Sequence, residues 1–144
     1  MKLLALLLVA VASAASAQVA PLVAPLSFEA GKSLPLTSGQ WSYVPTATAT
    51  GSESRFGGSL SIRCDRVARA VTVQRIGAVP SPLTISTSAV TQVLPTSGRV
   101  AANDRLLDAI AFSRGRFLVA GGAGPVLAVP SWPEAARSIE DCRN

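Results

Sequence analysis

Residues 59–64, Ser-Leu-Ser-Ile-Arg-Cys, alternate polar and apolar side chains at every position. A period of two is typical of a strand with one buried face, and it places Cys64 on the apolar face. Residues 70–76, after a charged connection, favour a second strand that runs back against the first. The sequence therefore predicts an antiparallel hairpin that carries a cysteine into the core.

The last segment predicts a helix that carries the second cysteine. Residues 131–134, Ser-Trp-Pro-Glu, match a capping box, with the serine as cap and the glutamate three residues on. An apolar stripe at helical spacing then runs from Trp132 to Cys142. Because both thiols are predicted to face the core, we expect a Cys64–Cys142 disulfide that clamps the last helix to the sheet. The alternative is two unpaired buried thiols, which an even cysteine count would disfavour in a protein of an oxidising compartment.

The remaining segments predict further short elements. Asn103 is placed to cap a helix that ends near Gly115. Residues 46–54 are small and polar, which favours a loop, and the glycines of residues 121–124 predict a hairpin connection. Further strands are expected over residues 41–44, 83–88, 90–94, 116–120 and 126–129.

Strand alternation and short connections favour the α+β class. We expect a single small domain over residues 41–144, with a mostly antiparallel sheet of five to seven short strands and two helices. The C-terminal helix is tied to the sheet by one disulfide. Residues 18–40 are rich in Pro and Ala and are predicted to form a flexible arm before the domain.

The first seventeen residues have the composition of a secretory signal peptide. A basic start precedes an apolar run over residues 3–11, and Ala15-Ser16-Ala17 gives a small-x-small end. Cleavage after Ala14 is the alternative. The apolar run is shorter than the roughly 20 residues that a membrane span needs. We therefore expect a periplasmic or secreted protein with a signal peptide over residues 1–17 and no stable membrane insertion after cleavage.

Candidate chemical sites have simpler structural interpretations. The sequence has no histidine, which removes the commonest general base and most zinc sites. Gly31-Lys32-Ser33 lacks the glycine that a phosphate-binding loop carries five positions earlier, where Leu26 stands. Asp104 and Asp108 fit a solvated helix start better than a catalytic pair. We expect no catalytic, metal-binding or cofactor-binding residues, and no enzymatic activity.

Arginines around the first hairpin form the candidate binding surface. The chain has a formal net charge of +5, and Arg63, Arg66 and Arg69 fall within seven residues. The functional interpretation is a contact for an acidic partner, a lipid headgroup or a cell-wall polymer. The alternative is a solvated hairpin edge whose charge deters aggregation. Nucleic acid is not expected as a partner, because no aromatic residues interleave with these arginines.

Four segments of the chain resemble a group of uncharacterised exported proteins of Gram-negative bacteria. These are residues 41–43 (WSY), 59–66 (SLSIRCDR), 108–117 (DAIAFSRGRF) and 130–143 (PSWPEAARSIEDCR). A more distant similarity is to periplasmic accessory proteins of type VI secretion, which run from a Trp-led strand to a last helix ending in Cys. These resemblances imply the compartment and the extent of the domain, and they supply no catalytic residues.

Three functions are compatible with these observations. The leading hypothesis is a non-enzymatic envelope protein that binds or supports an unknown protein or envelope component. An inhibitor of a cell-wall hydrolase is the second, although the positive charge disfavours lysozyme-like targets, which are usually basic. An enzyme that uses carboxylates and arginine alone is the third and least favoured.

Overall fold

The computed structural model of the protein describes residues 26–45 and 50–144. The predicted signal peptide and the first residues of the predicted arm lie outside this part of the chain. The elements of the described residues are, in chain order, α1 (Phe28–Gly31), β1 (Trp41–Pro45), β2 (Gly51–Phe56), β3 (Leu60–Asp65), β4 (Ala70–Arg75), β5 (Leu83–Ser86), β6 (Thr91–Leu94), β7 (Arg99–Ala101), α2 (Arg105–Ala111), β8 (Arg116–Gly121), β9 (Leu127–Pro130) and α3 (Pro133–Asp141).

The strands of the described residues form two antiparallel sheets. The larger has the order β1-β2-β3-β4-β7, and the smaller has the order β6-β5-β8-β9. The predicted α+β class and antiparallel pairing are confirmed. Within the described residues nine strands form instead of five to seven, since residues 51–56 and 99–101 also pair with neighbours. They make two sheets instead of one, and a short third helix, α1, joins the two predicted helices. Among the described residues, no helix is long and apolar enough to cross a membrane.

The hairpin predicted from residues 59–76 is present as β3 and β4. Ile62 lies opposite Val73, and Cys64 lies opposite Val71. All four side chains are buried, while Arg63 between them is exposed. The period-two pattern therefore identified the buried face correctly, because successive strand residues point to opposite sides of the sheet.

The loop predicted over residues 46–54 is wrong for its second half, which forms β2 between β1 and β3. Glycine and serine have low strand propensity, but packing outweighs it here. Ser54 is buried, and its Oγ donates a 2.6 Å hydrogen bond to the backbone carbonyl of Glu134 in α3. The Ser138 hydroxyl lies 2.9 Å from the Ser54 hydroxyl. The small polar side chains thus let the helix approach the strand closely.

Helix α3 begins one residue later than the capping box predicts. Trp132 is the N-cap and makes no side-chain capping bond. The Ser131 backbone N–H donates to the carbonyl of Gly115, which keeps Ser131 in the extended chain leaving β9. Trp132 is 46% exposed, so its placement on the buried stripe was wrong, whereas Ile139 and Cys142 are buried as predicted.

Helix α2 is capped by Asp104 rather than by the predicted Asn103. The Asp104 carboxylate accepts a 2.8 Å hydrogen bond from the backbone N–H of Leu106, as an N-cap residue does. The helix ends at Ala111, before the predicted end at Gly115. Gly115 has a φ of 75°, and it turns the chain into β8.

The two sheets and the two longer helices share one hydrophobic core. Trp41 of β1 joins the sheets: its ring centroid is 5.4 Å from that of Phe56 and 6.5 Å from that of Phe117 in β8. Its indole N–H donates a 2.8 Å hydrogen bond to the carbonyl of Pro130 at the end of β9. The other face of the larger sheet, which carries Arg63, is left open.

The predicted disulfide between Cys64 and Cys142 is confirmed. The two Cα atoms lie 5.4 Å apart, and both residues are buried. The bond joins β3 to the C-terminal end of α3, which packs on β1, β2 and β3. The last helix is thereby held on the inner face of the larger sheet.

Residues 26–40, the described part of the predicted arm, contact the smaller sheet. Gly31 of α1 lies against Leu118, and a Cβ atom at this glycine would clash with the leucine side chain. Further along, the Thr37 backbone N–H donates to the carbonyl of Ala128, and the Ala128 N–H donates to Thr37 Oγ1, both at 2.9 Å. This segment covers one edge of the smaller sheet.

Loss of the disulfide should destabilise the protein strongly. The bond spans 78 positions, and chain entropy values such a closure at about 4 kcal/mol. We expect the Cys64→Ala/Cys142→Ala variant to lose about 2–5 kcal/mol in the free energy of unfolding, measured by urea titration. Reduced wild-type protein is the matched control because it keeps both side chains. Equal unfolding midpoints for oxidised and reduced protein would contradict the assignment of a stabilising clamp.

Two variants compare the N-cap observed for α2, Asp104, with the N-cap that the sequence predicts for α3, Ser131. Asp104→Ala should cost about 1 kcal/mol, the usual value for a lost N-cap. Ser131→Ala should leave the free energy of unfolding unchanged or raise it, because the Ser131 hydroxyl is buried without a partner among the described residues. Thermal melts of both variants give the comparison. A larger decrease in the free energy of unfolding for Ser131→Ala than for Asp104→Ala would show that Ser131 caps α3 as the capping box predicts.

Candidate binding surface

The hairpin separates the three arginines of the predicted cluster. Arg63 lies on the open face of the larger sheet. Arg66 and Arg69 instead turn towards the end of α3: Arg66 Nε donates a 3.1 Å bond to the carbonyl of Asp141, and Arg69 Nη2 donates a 3.3 Å bond to that of Arg143. Cations are favourable at the carbonyl end of a helix. Arg66 and Arg69 therefore help to hold the last helix, and only Arg63 extends onto the open face.

Asp141 is the centre of the contacts that hold the end of α3. Its carboxylate accepts a 2.5 Å hydrogen bond from Tyr43 of β1 and lies 3.6 Å from Arg66 Nη2. The Arg137 guanidinium stacks 4.4 Å above the Tyr43 ring. Burial raises the pKa of Asp141, but the Tyr43 hydrogen bond, the Ser52 hydroxyl and the charges of Arg66 and Arg137 outweigh it, and the net pKa is lowered. The same hydrogen bond raises the pKa of Tyr43.

The other carboxylates singled out in the sequence also make structural contacts. Asp104 caps α2, and Asp108 accepts a 2.6 Å hydrogen bond from Arg143 Nη1. Lys32, the lysine of the rejected phosphate-loop motif, pairs with Glu29. Within residues 26–45 and 50–144, no group of three or more metal-ligating side chains is placed to hold a metal ion.

A polar depression of about 370 Å³ lies on the open face of the larger sheet. We call it the polar basin. Its side chains come from β3, β4 and β7 and the turn before β7, where cross-strand pairing aligns Arg63 with Thr72 and Thr72 with Arg99. The lining residues are Arg63, Asp65, Thr72, Gln74, Ser97 and Arg99.

The two arginines of the polar basin are only loosely paired with carboxylates. Arg99 Nη2 lies 3.5 Å from Asp65 Oδ2, and Arg63 Nη2 lies 3.5 Å from Glu53 Oε1. The two arginine side chains are 56% (Arg63) and 45% (Arg99) exposed. Because a guanidinium has five N–H donors, each of these long contacts leaves donors directed at solvent. Such exposed pairs contribute little to stability.

Asp65 remains ionised beside Arg99. The backbone N–H of Ala68 donates a 3.0 Å hydrogen bond to Asp65 Oδ1, and this contact lowers the pKa of the carboxyl group, with a further contribution from Arg99. The lining of the polar basin therefore presents two arginines and one aspartate around neutral hydrogen-bonding side chains. Beside it on β2, Glu53 lies between Arg63 and Arg55, whose Nε is 3.0 Å from Glu53 Oε2.

Of these residues, only Arg63 was singled out from the sequence. Its odd position in the alternation of β3 was the available signal, since the even positions are buried. Arg99 was missed because residues 99–101 have no recognisable strand pattern and pair with β4 only through tertiary contacts. Thr72 and Gln74 were missed because an outward-facing polar residue is ordinary in a half-buried strand.

No protein-family model, no curated protein and no solved structure matches this chain.

The contacts of Asp141 should make stability depend on pH in the acid range. Because its pKa is lower in the folded protein than in the unfolded chain, the stabilisation is present above the ordinary aspartate pKa of about 4 and is lost as pH falls through the folded value. We expect Asp141→Asn to reduce the free energy of unfolding at pH 7, with the difference from wild type shrinking towards pH 2.

Urea titrations across this pH range measure the effect. Tyr43→Phe is the matched control: it removes the hydrogen bond but keeps the carboxylate and both arginines, so part of the pH dependence should remain. A wild-type advantage over Asp141→Asn that stays constant from pH 7 to pH 2 would contradict the interpretation.

Proposed function

We propose that the protein is a non-enzymatic, exported binding module of the cell envelope that holds an acidic partner protein on the polar basin. The observation that carries the proposal is the pair of half-exposed, loosely paired arginines on the open face of the larger sheet. The proposal has three supports: the compartment, the structural use of the other charged groups, and the geometry of the basin.

The disulfide supports a location in the periplasm or outside the cell. Structural disulfides persist in oxidising compartments and are rare in the cytosol. The predicted signal peptide over residues 1–17 and the resemblance to exported Gram-negative proteins favour the same compartment.

The use of the charged groups favours binding over catalysis. Asp104 caps a helix, Asp108 pairs with Arg143, and Asp141 binds Tyr43 and Arg66. A catalytic acid or base must be free to exchange a proton with substrate. These carboxylates are instead committed to contacts that hold α2 and α3 in place.

The geometry of the basin favours an acidic protein segment as the ligand. Arg63 and Arg99 stand on β3 and β7, which flank β4. With strands about 4.8 Å apart, the two side chains arise roughly 10 Å from each other. Arginine binds carboxylates through paired N–H donors, and Thr72 between the two arginines offers a neutral hydroxyl. A partner with two acidic side chains at that separation satisfies both guanidinium groups at once.

Charge reversal on the open face tests this proposal. The full-length protein, tagged and exported in a Gram-negative host, is used to capture partners from the periplasm, with quantitative mass spectrometry of what is retained. We expect the Arg63→Glu/Arg99→Glu variant to retain at least ten-fold less of the specific partner than the wild type does, because two attractive contacts become repulsive. Raising the salt concentration should also reduce the amount of partner that the wild type retains, because salt screens exposed charges.

Arg105→Glu/Arg114→Glu is the matched control, since it makes the same charge change at exposed positions of α2 and the following turn. A partner retained equally by wild type and by the basin variant would overturn the proposed surface. Retention of a lytic enzyme in a basin-dependent manner would identify the module as an inhibitor of a cell-wall hydrolase.

A further inference from the structure

A second cavity, of about 110 Å³, lies where β4 runs into the connection to β5. Its apolar wall includes Val73 and Leu83, both buried in the core, and Val79 and Pro80 of the connection. Val79 is 80% exposed, so the wall continues to the surface. The cavity therefore combines a hydrophobic floor with access from solvent.

Arg75 supplies a positive charge at this cavity. Its guanidinium donates to the carbonyl of Gly121 and, at 2.6 Å, to that of Pro125. Both acceptors are neutral, and no carboxylate of the described residues forms an ion pair with Arg75. Burial lowers the pKa of the Arg75 guanidinium, which shows that water solvates the charge incompletely. Of its five N–H donors, two are used by the carbonyls and the rest remain for a ligand.

The glycine-rich turn between β8 and β9 is shaped around this arginine. A Cβ atom at Gly122 would lie 2.8 Å from Arg75 Cδ, and one at Gly124 would lie 3.2 Å from Arg75 Nη2. Gly122 also has a φ of 69°, which side-chain-bearing residues rarely adopt. The turn thus holds the guanidinium at the cavity and needs glycine to do so.

Ser81 contributes a second polar group. It lines the same cavity, and its hydroxyl is buried without a hydrogen-bond partner among the described residues. Buried hydroxyl groups normally have a hydrogen-bond partner, so the Ser81 hydroxyl is available to a polar group that enters the cavity. A hydroxyl donor and an unneutralised guanidinium together favour an anionic oxygen.

We propose that this cavity binds a carboxylate carried on a short branched aliphatic group. The carboxylate oxygens accept from Arg75 and Ser81, and the alkyl group packs on Val79, Pro80 and the edge of Leu83. A cavity of 150 Å³ accommodates benzene, so 110 Å³ suits roughly four to six non-hydrogen atoms with the carboxylate at the mouth. A free branched-chain acid and the C-terminal valine of a peptide share this chemistry. The site does not depend on the polar basin.

A titration followed by NMR tests the site and separates the two sources. Isobutyrate is added to ¹⁵N-labelled protein, with isobutyramide as the uncharged analogue. We expect isobutyrate to shift the amide resonances of residues 75–83 and 122, and isobutyramide to bind at least ten-fold more weakly. Acetyl-Gly-Val with a free carboxylate is the peptide probe: tighter binding than isobutyrate identifies a peptide terminus, and weaker binding identifies a free acid.

Two variants and one control make the result decisive. Arg75→Gln should weaken isobutyrate binding at least ten-fold, and Ser81→Ala should weaken it several-fold. Arg114→Gln, at an exposed arginine elsewhere, should bind as wild type does. If Arg75→Gln unfolds because the turn at Gly121 is lost, Ser81→Ala still tests the site.

Equal binding of acid and amide, or unchanged binding in Ser81→Ala, would overturn the proposal. The Arg63→Glu/Arg99→Glu variant should bind isobutyrate normally, so failures of the two proposals are distinguishable.

Discussion

The covalent bond between Cys64 and Cys142 locks the packing that leaves some surfaces of the molecule buried and others open. It holds the end of α3 on the inner face of the larger sheet, where the smaller sheet also packs. With that face filled, the polar and charged side chains of β3, β4 and β7 that line the polar basin lie on the opposite face. The polar basin is therefore a consequence of how the core closes.

Polar contacts at the end of α3 reinforce the same arrangement. The Ser54 hydroxyl bonds to the backbone of the helix, Tyr43 bonds to Asp141, and Arg66 reaches the carbonyl of the same aspartate. Each contact joins a strand of the larger sheet, or the hairpin beside it, to the last helix. Because buried polar groups are costly when unpaired, these bonds also specify a single position for the helix along the sheet.

Features that depend on neighbouring residues alone were predictable from the sequence. The alternation through Ile62 and Cys64 identified both the strand and its buried face, and the stripe through Ile139 identified the buried face of α3. Prediction failed where distant contacts decide the outcome. The N–H of Ser131 is taken by Gly115, which cancels a local capping motif, and β2 forms from weak strand residues because it has a partner on each side. Arg99 comes to the same sheet face as Arg63 only through the β4–β7 pairing, which no local pattern signals.

The position of the two cysteines along the chain also constrains the order of assembly. Cys142 follows every strand of the described residues, whereas Cys64 lies in the third of them. In a chain exported with its N-terminus leading, the strands emerge before the residue that locks them. The sheets must then stay associated through noncovalent packing alone until the last helix emerges. The disulfide therefore forms after the strands have paired, and it stabilises that pairing without directing it. An oxidising enzyme that acted earlier would find only one thiol and nothing within the chain for it to join.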